Sequence, residues 1–187
     1  MKFYDVVLCI DTSYSVRSKD FPPNRLTVLK DIASRIIDYI LSKEPFVRIG
    51  VVGFYMYAYP IIDLTRDKSK LEEAISSIKV MGEATAPGEA VKEAIDMLIL
   101  NKSPEHSKII LLTDGTFNYG INLPVVAEYA RRRKYIIDIV MLGKPTKGDM
   151  AWASPTIKMT NGTFISIHSP RYLEKHLNEI FTKIFAD

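Results

Sequence analysis

Short, nearly continuous apolar runs alternate along this chain with amphipathic stretches, and that alternation restricts the fold more than any other feature. The runs are Val6–Ile10, Val47–Val52, Tyr55–Ile62, Ile109–Leu112, Tyr135–Met141 and Gly162–Ile167. Most are rich in β-branched residues with little polar interruption, which is how strands buried on both faces read. Between them, apolar residues recur at helical spacing. Leu26, Leu29, Ala33, Ile36, Ile37 and Ile40 fall on one helix face, as do Leu71, Ala74, Ile75 and Ile78. Asp67 or Ser69 is available to cap that second helix. Ala90, Val91, Ala94, Ile95 and Leu98 predict a third, and Pro124 suits the first turn of a fourth that runs to about Lys134. Ser169-Pro170 opens a fifth, carrying Leu173, Leu177, Ile180, Phe181 and Ile184.

Strands joined by helices require a parallel sheet with helices on both faces. The expectation is an α/β fold, a doubly wound Rossmann-like sheet of six strands. One strand departs from the rule. Gly53-Phe54 leaves room only for a tight turn before Tyr55, so the third strand should run antiparallel at an edge, and its Tyr55, Tyr57 and Tyr59 fit a strand with unlike faces. Asn101–His106 and Gly143–Pro155 read as surface loops. Trp152, in the second, is open between a partner contact and a plug on the sheet end.

Composition bounds the function. The chain of 187 residues is 47% apolar and carries a net charge of +3. That suits one domain, residues 1–187, and excludes disorder. Each apolar run is far shorter than the roughly 18 residues a membrane-spanning helix needs. A single cysteine, Cys9, excludes a disulfide-built fold and is expected to be buried. The N-terminus lacks a signal-like apolar segment, which predicts a cytoplasmic protein. Glutamine is absent while Lys and Glu are frequent, a trend of thermophilic proteins.

In an open doubly wound sheet, ligands bind beyond the carboxyl ends of the strands. Three polar segments should lie there: Asp11-Thr12-Ser13-Tyr14-Ser15 after the first strand, Thr113-Asp114-Gly115 after the fourth, and Gly82–Gly88 before the third helix. Asp11, Ser13 and Ser15 alternate, so an extended loop would turn all three to one side. With Thr85 and Asp114 they make two carboxylates and three hydroxyls, an all-oxygen set suited to a hard cation: Mg²⁺, with Mn²⁺ or Ca²⁺ as alternatives. A capped turn is the ordinary alternative for Asp11–Ser15. N-capping competes for Thr85, and a strand-ending turn for Asp114.

The DTSYS segment resembles the D-x-S-x-S motif of von Willebrand factor type A domains. Thr85 in TAPGEAV resembles that family's separate metal-site threonine, and Asp114 in LLTDG its last metal-site aspartate. The order of elements matches over essentially the whole chain. The resemblance implies a metal-ion-dependent adhesion site in which both serines and the threonine approach the ion and the aspartates act largely through water. A partner's Asp or Glu would complete the shell. Tyr14, Thr116, Phe117 and Asn118 would then border the partner. Tyr14 stands where a small residue is common in the family.

The resemblance implies a protein-interaction module rather than an enzyme. A Mg²⁺-dependent phosphoryl-transfer enzyme is the main rival. Its haloacid-dehalogenase form needs an aspartate where Ser13 stands, and no G-x-x-x-x-G-K-[ST] loop is present. A nucleic-acid-associated domain using Arg131–Lys134 is the other rival, although that run closes a helix, where positive charge complements the dipole. His106, His168 and His176 are scattered, without metal-ligand spacing.

Overall fold

A computed structural model describes residues 4–115 and 117–185. In chain order the elements are β1 (Val6–Asp11), α1 (Arg25–Lys43), β2 (Ile49–Phe54), β3 (Ala58–Thr65), α2 (Lys68–Ser77), α3 (Pro87–Leu100), β4 (Lys108–Thr113), α4 (Leu123–Arg132), β5 (Ile136–Leu142), α5 (Lys147–Thr160), β6 (Phe164–Ile167) and α6 (Leu173–Ile184). They build one six-stranded sheet in the order β3-β2-β1-β4-β5-β6. All pairings are parallel except β2 with β3, which is antiparallel and forms an edge.

β1 lies between two parallel neighbours, so its side chains alternate between two cores. Val6, Leu8 and Ile10 enter the core shared with α1, α2 and α6. Val7 and Cys9 enter the one shared with α3, α4 and α5. Cys9 is buried as expected. Burial pushes its thiol up, and its Sγ lies 3.6 Å from the Ala90 carbonyl oxygen. Among the described residues, no helix is long and apolar enough to cross a membrane.

The caps follow local chemistry. The Asn24 side chain accepts from Thr27 N–H and the Asp67 side chain from Lys70 N–H, each satisfying an otherwise orphaned first-turn donor. Ser169-Pro170 leads into a 3₁₀ turn, Pro170–Tyr172, before α6 begins.

Two expectations need correction. The β-hairpin does not turn at Gly53-Phe54. β2 continues through Phe54, which is fully buried, and the turn is Tyr55–Tyr57, closed by Tyr55 N–H donating to the Tyr57 carbonyl at 3.0 Å. Gly53 is needed inside the strand because the Tyr59 ring lies over it. A Cβ there would sit 2.4 Å from that ring.

The second correction concerns Gly143–Pro155, which is not a loop throughout: α5 starts at Lys147. A capping box starts it, with Thr146 Oγ1 accepting from Asp149 N–H and the Asp149 carboxylate accepting from Thr146 N–H. Asp149, Trp152, Ala153, Thr156 and Thr160 form its buried face. Three of those five are polar, so the apolar period is weak, and Pro155 inside the helix reads as a breaker. The hydroxyls are satisfied by the preceding turn: Thr156 Oγ1 donates to the Trp152 carbonyl at 2.7 Å and Thr160 Oγ1 to the Thr156 carbonyl at 3.0 Å. Trp152 is buried in the core beneath α5 and does not face outward.

Candidate metal centre

The sheet order changes direction at β1: β2 and β3 lie to one side, β4 to β6 to the other. The crevice at such a switch point lies beyond the carboxyl ends of the two central strands. Asp11 is the last residue of β1, and Asp114 directly follows β4. The topology thus brings the two carboxylates together.

After Asp11 the chain does not stay extended, as the alternation of Asp11, Ser13 and Ser15 suggested. Ser13 is extended, but Tyr14–Arg17 is a 3₁₀ turn. The turn still converges the hydroxyls. Ser13 Oγ and Ser15 Oγ are 3.0 Å apart, and Ser15 Oγ donates to Asp114 Oδ1 at 2.8 Å. Ser13 N–H donates to Asp11 Oδ1 at 2.9 Å, closing a turn that fixes the first carboxylate. Asp11, Ser13, Ser15 and Asp114 thereby form one hydrogen-bonded chain. Asp11, Ser13 and Asp114 are buried, and Ser15 is exposed.

Thr85 reaches the same end on a neighbouring loop. Ser13 and Gly82 form a parallel bridge, and Tyr14 N–H donates to the Gly82 carbonyl at 2.8 Å. Asn118 holds Thr85 from the other side: Thr85 N–H donates to Asn118 Oδ1 at 2.8 Å, and Asn118 N–H to the Thr85 carbonyl at 3.2 Å. The N-cap of α3 is Ala86, so Thr85 does not serve as that cap. Thr85 is buried, and among the described residues no hydrogen bond joins it to the Asp11–Asp114 chain. The structure therefore unites four of the five expected metal-site residues and sets the fifth beside them.

Of the expected partner contacts, Tyr14 is exposed, with the Arg17 guanidinium 4.2 Å from its ring centroid. Phe117 is half-buried and packs on the core below α4, so it is partly a structural residue. Asn118 is exposed but braces Thr85. Thr116 lies outside the described residues.

Sequence reasoning missed three contributors. Thr113 Oγ1 donates to Asp11 Oδ2 at 2.6 Å, so both oxygens of Asp11 are engaged. Thr12 Oγ1 donates to the Phe54 carbonyl at 2.8 Å and accepts from Tyr59 Oη at 3.2 Å, which ties the loop to the hairpin. Arg25 Nη1 donates to Asp114 Oδ2 at 2.9 Å. Thr113 could have been found from its place next to Asp114 at a strand end. Nothing in the sequence marks Arg25.

Burial, and then the Asp114 carboxylate, push the Asp11 carboxyl upward, against hydrogen bonds from Ser13 and Thr113 that pull it down. Two nearby carboxylates in a dry crevice gain from a positive charge placed between them. The donors are carboxylate and hydroxyl oxygen, the set a hard cation takes. Among the described residues, no three His, Cys, Asp or Glu side chains lie together, so an ion here would depend on the hydroxyls. By donor chemistry the residues fit such an ion.

The family description "von Willebrand factor type A domain" matches residues 6–116. The chain belongs to this family. As a type A domain it is 27% identical over 153 residues to a "UPF0353 protein" of Mycolicibacterium paratuberculosis, covering 75% of this chain and 44% of that one. It therefore spans less than half the length of that curated relative. Among solved structures, the VWA domain of SpRpn10 superposes with a TM-score of 0.81 at 20% identity, covering 95% of each chain. Proximal thread matrix protein 1 of the mussel byssus, described with a zinc-occupied MIDAS motif, gives a TM-score of 0.75 at 20% identity. It covers 94% of this chain and 44% of that one. These two likenesses establish the fold, and domains of this family are commonly protein-interaction modules.

Proposed function

We propose that this type A domain binds a divalent hard cation, Mg²⁺ with Mn²⁺ or Ca²⁺ as alternatives, and uses it to capture a carboxylate of a protein partner. The observation that carries this reading is the hydrogen-bonded chain Asp11–Ser13–Ser15–Asp114 across the switch point. Ser13, Ser15 and Thr85 would approach the ion through neutral oxygens, and Asp11 and Asp114 would supply the negative charge. When bound, the ion would supply an electrophilic position for an outside Asp or Glu. The mussel relative's zinc-occupied motif supports metal binding within the family.

The surroundings suit a protein surface. Tyr14, Tyr57, Met81 and Tyr119 are exposed on the loops at this end of the sheet. Large side chains of this kind add contact area and exclude water around a polar anchor. Arg17, stacked on Tyr14, adds a cation that favours an acidic partner.

Enzyme chemistry is poorly served by the same geometry. Asp11, the residue a phosphoryl-transfer mechanism would use as nucleophile, is buried with both oxygens engaged by Ser13 and Thr113. The nucleic-acid rival is weakened because Arg131 and Arg132 both pair with Glu128, and Lys134 pairs with Glu105.

Water-proton relaxation of the Mn²⁺-loaded domain tests the capture step. Adding a short glutamate-containing peptide should displace bound water and lower the enhancement. Its glutamine counterpart should not. Equal effects of the two peptides would contradict capture of a carboxylate.

A further inference from the structure

One contact at the site is explained neither by holding a metal nor by meeting a partner. Asp114 has no exposed side-chain surface, and both its oxygens are engaged: Oδ1 accepts from Ser15 Oγ at 2.8 Å, and Oδ2 from Arg25 Nη1 at 2.9 Å. Arg25 is the first residue of α1 and is itself tightly held. Its Nε and Nη2 donate to the two oxygens of Asp20 at 2.9 and 2.7 Å. Ser18 Oγ at 2.8 Å and Phe21 N–H at 3.1 Å fix Asp20 in turn, and Phe21 is anchored in the core. The backbone closes the same loop, with Arg25 N–H donating to the Ser18 carbonyl at 3.0 Å. The guanidinium is a planar fork with a permanent charge, so this arrangement positions it rather than letting it sample solvent.

We propose that Arg25, clamped by Asp20, is a built-in countercharge of the metal centre: it offsets part of the negative charge of the Asp114 carboxylate and thereby limits how tightly the site holds a divalent cation. The inference rests on the metal-binding reading above. Asp11 and Asp114 alone would offer a cation two negative charges. Arg25 is shared between Asp20 and Asp114, so these three groups sum formally to −1; with Asp11 the cluster carries −2, and it would carry −3 without the guanidinium. Arg25 also fixes Asp114 toward Ser15, so removing the guanidinium frees the carboxylate to turn toward the ion. Both effects act in one direction. A purely structural link between the Ser18–Arg25 loop and the end of β4 predicts the opposite, because breaking it would disorganise the site and weaken binding.

The test is calorimetric titration of Mg²⁺, and separately Mn²⁺, into the whole chain at fixed ionic strength, with circular dichroism to establish folding. Arg25→Gln should bind Mg²⁺ about tenfold more tightly than the wild type, even with a lower melting temperature. Arg25→Lys keeps the charge and should stay within about threefold of the wild type. Should the Gln variant fail to fold, Arg25→Met, which keeps an unbranched stem, makes the same comparison. Unchanged or weaker binding in the folded neutral variant overturns the proposal, as does Arg25→Lys binding as tightly as Arg25→Gln. If neither the wild type nor the neutral variant binds either ion, the metal-binding reading itself fails, and this inference with it. Binding by the neutral variant alone would contradict metal binding by the native protein while still assigning Arg25 as the charge that opposes it.

Discussion

At the scale of single residues, the charged groups inside the molecule show where it stores pH dependence. Asp138 on β5 is buried; its Oδ1 accepts from Thr163 N–H at 2.8 Å, and its Oδ2 has Lys108 Nζ at 3.7 Å, beyond hydrogen-bonding reach. Burial pushes this carboxyl up to about 6, with Lys108 opposing. The folded state therefore prefers the neutral acid. Its contribution to stability is fully present below the ordinary carboxylate pKa of about 4 and is lost as pH rises toward about 6. The shift corresponds to about 3 kcal/mol at most, less whatever Lys108 returns. Asp138→Asn should be more stable than the wild type at neutral pH by about 1–2 kcal/mol. The gap should close at about pH 4, as read by urea unfolding at both pH values. A gap independent of pH would mean that folding does not raise the Asp138 carboxyl. The site's carboxylates differ in how readily sequence shows them. Asp11 and Asp114 stand out because strands must end near them. Arg25 stays hidden, because its contact depends on how a loop of irregular path returns to the sheet.

Among the elements, α5 shows most clearly what periodicity can and cannot reveal. The six strands and five of the helices were legible because burial on both faces, or on one stripe, writes itself as apolar residues. α5 writes its buried face partly in threonine, and the hydroxyls bond the turn behind them. Its start is set by the capping box of Thr146 with Asp149, which the loop reading of this segment passed over. That cap also bears on the site. Gly115, next to Asp114, has φ of +99°, and a Cβ there would lie 3.2 Å from Asp149 Oδ1. Gly115→Ala is expected to cost about 1–2 kcal/mol from the left-handed backbone alone. It should also press on the start of α5 and shift amide resonances of both Asp114 and Asp149. Trp152→Ala removes a large side chain from the core beneath α5 and should cost about 3–5 kcal/mol in chemical denaturation. A loss below about 1 kcal/mol would place Trp152 at the surface, as a loop reading of this segment would have it.

For the molecule as a whole, one sheet separates two cores, and one crevice at its switch point gathers the polar ends of β1 and β4 with the Thr85 loop. The sheet is the shared wall, so substitutions in opposite cores should be nearly independent. Ile36→Ala against α1's side and Leu98→Ala against α3's side should add within about 0.5 kcal/mol in a double-mutant cycle. Coupling well above that would mean that the sheet deforms to transmit strain between its faces. The order of strands was legible only in part. Alternation implied parallel neighbours and an antiparallel edge, but placing β1 beside β4 rests on contacts far apart in sequence. That placement is what turns separate polar segments into a site. The central claim is that the site holds a hard divalent cation, and calorimetric titration of Mg²⁺ into the wild type and Asp11→Ala tests it most directly. The account predicts one binding event per chain in the wild type, and none in a variant that remains folded. No heat of binding at millimolar Mg²⁺ in the wild type, or undiminished binding in Asp11→Ala, would contradict it.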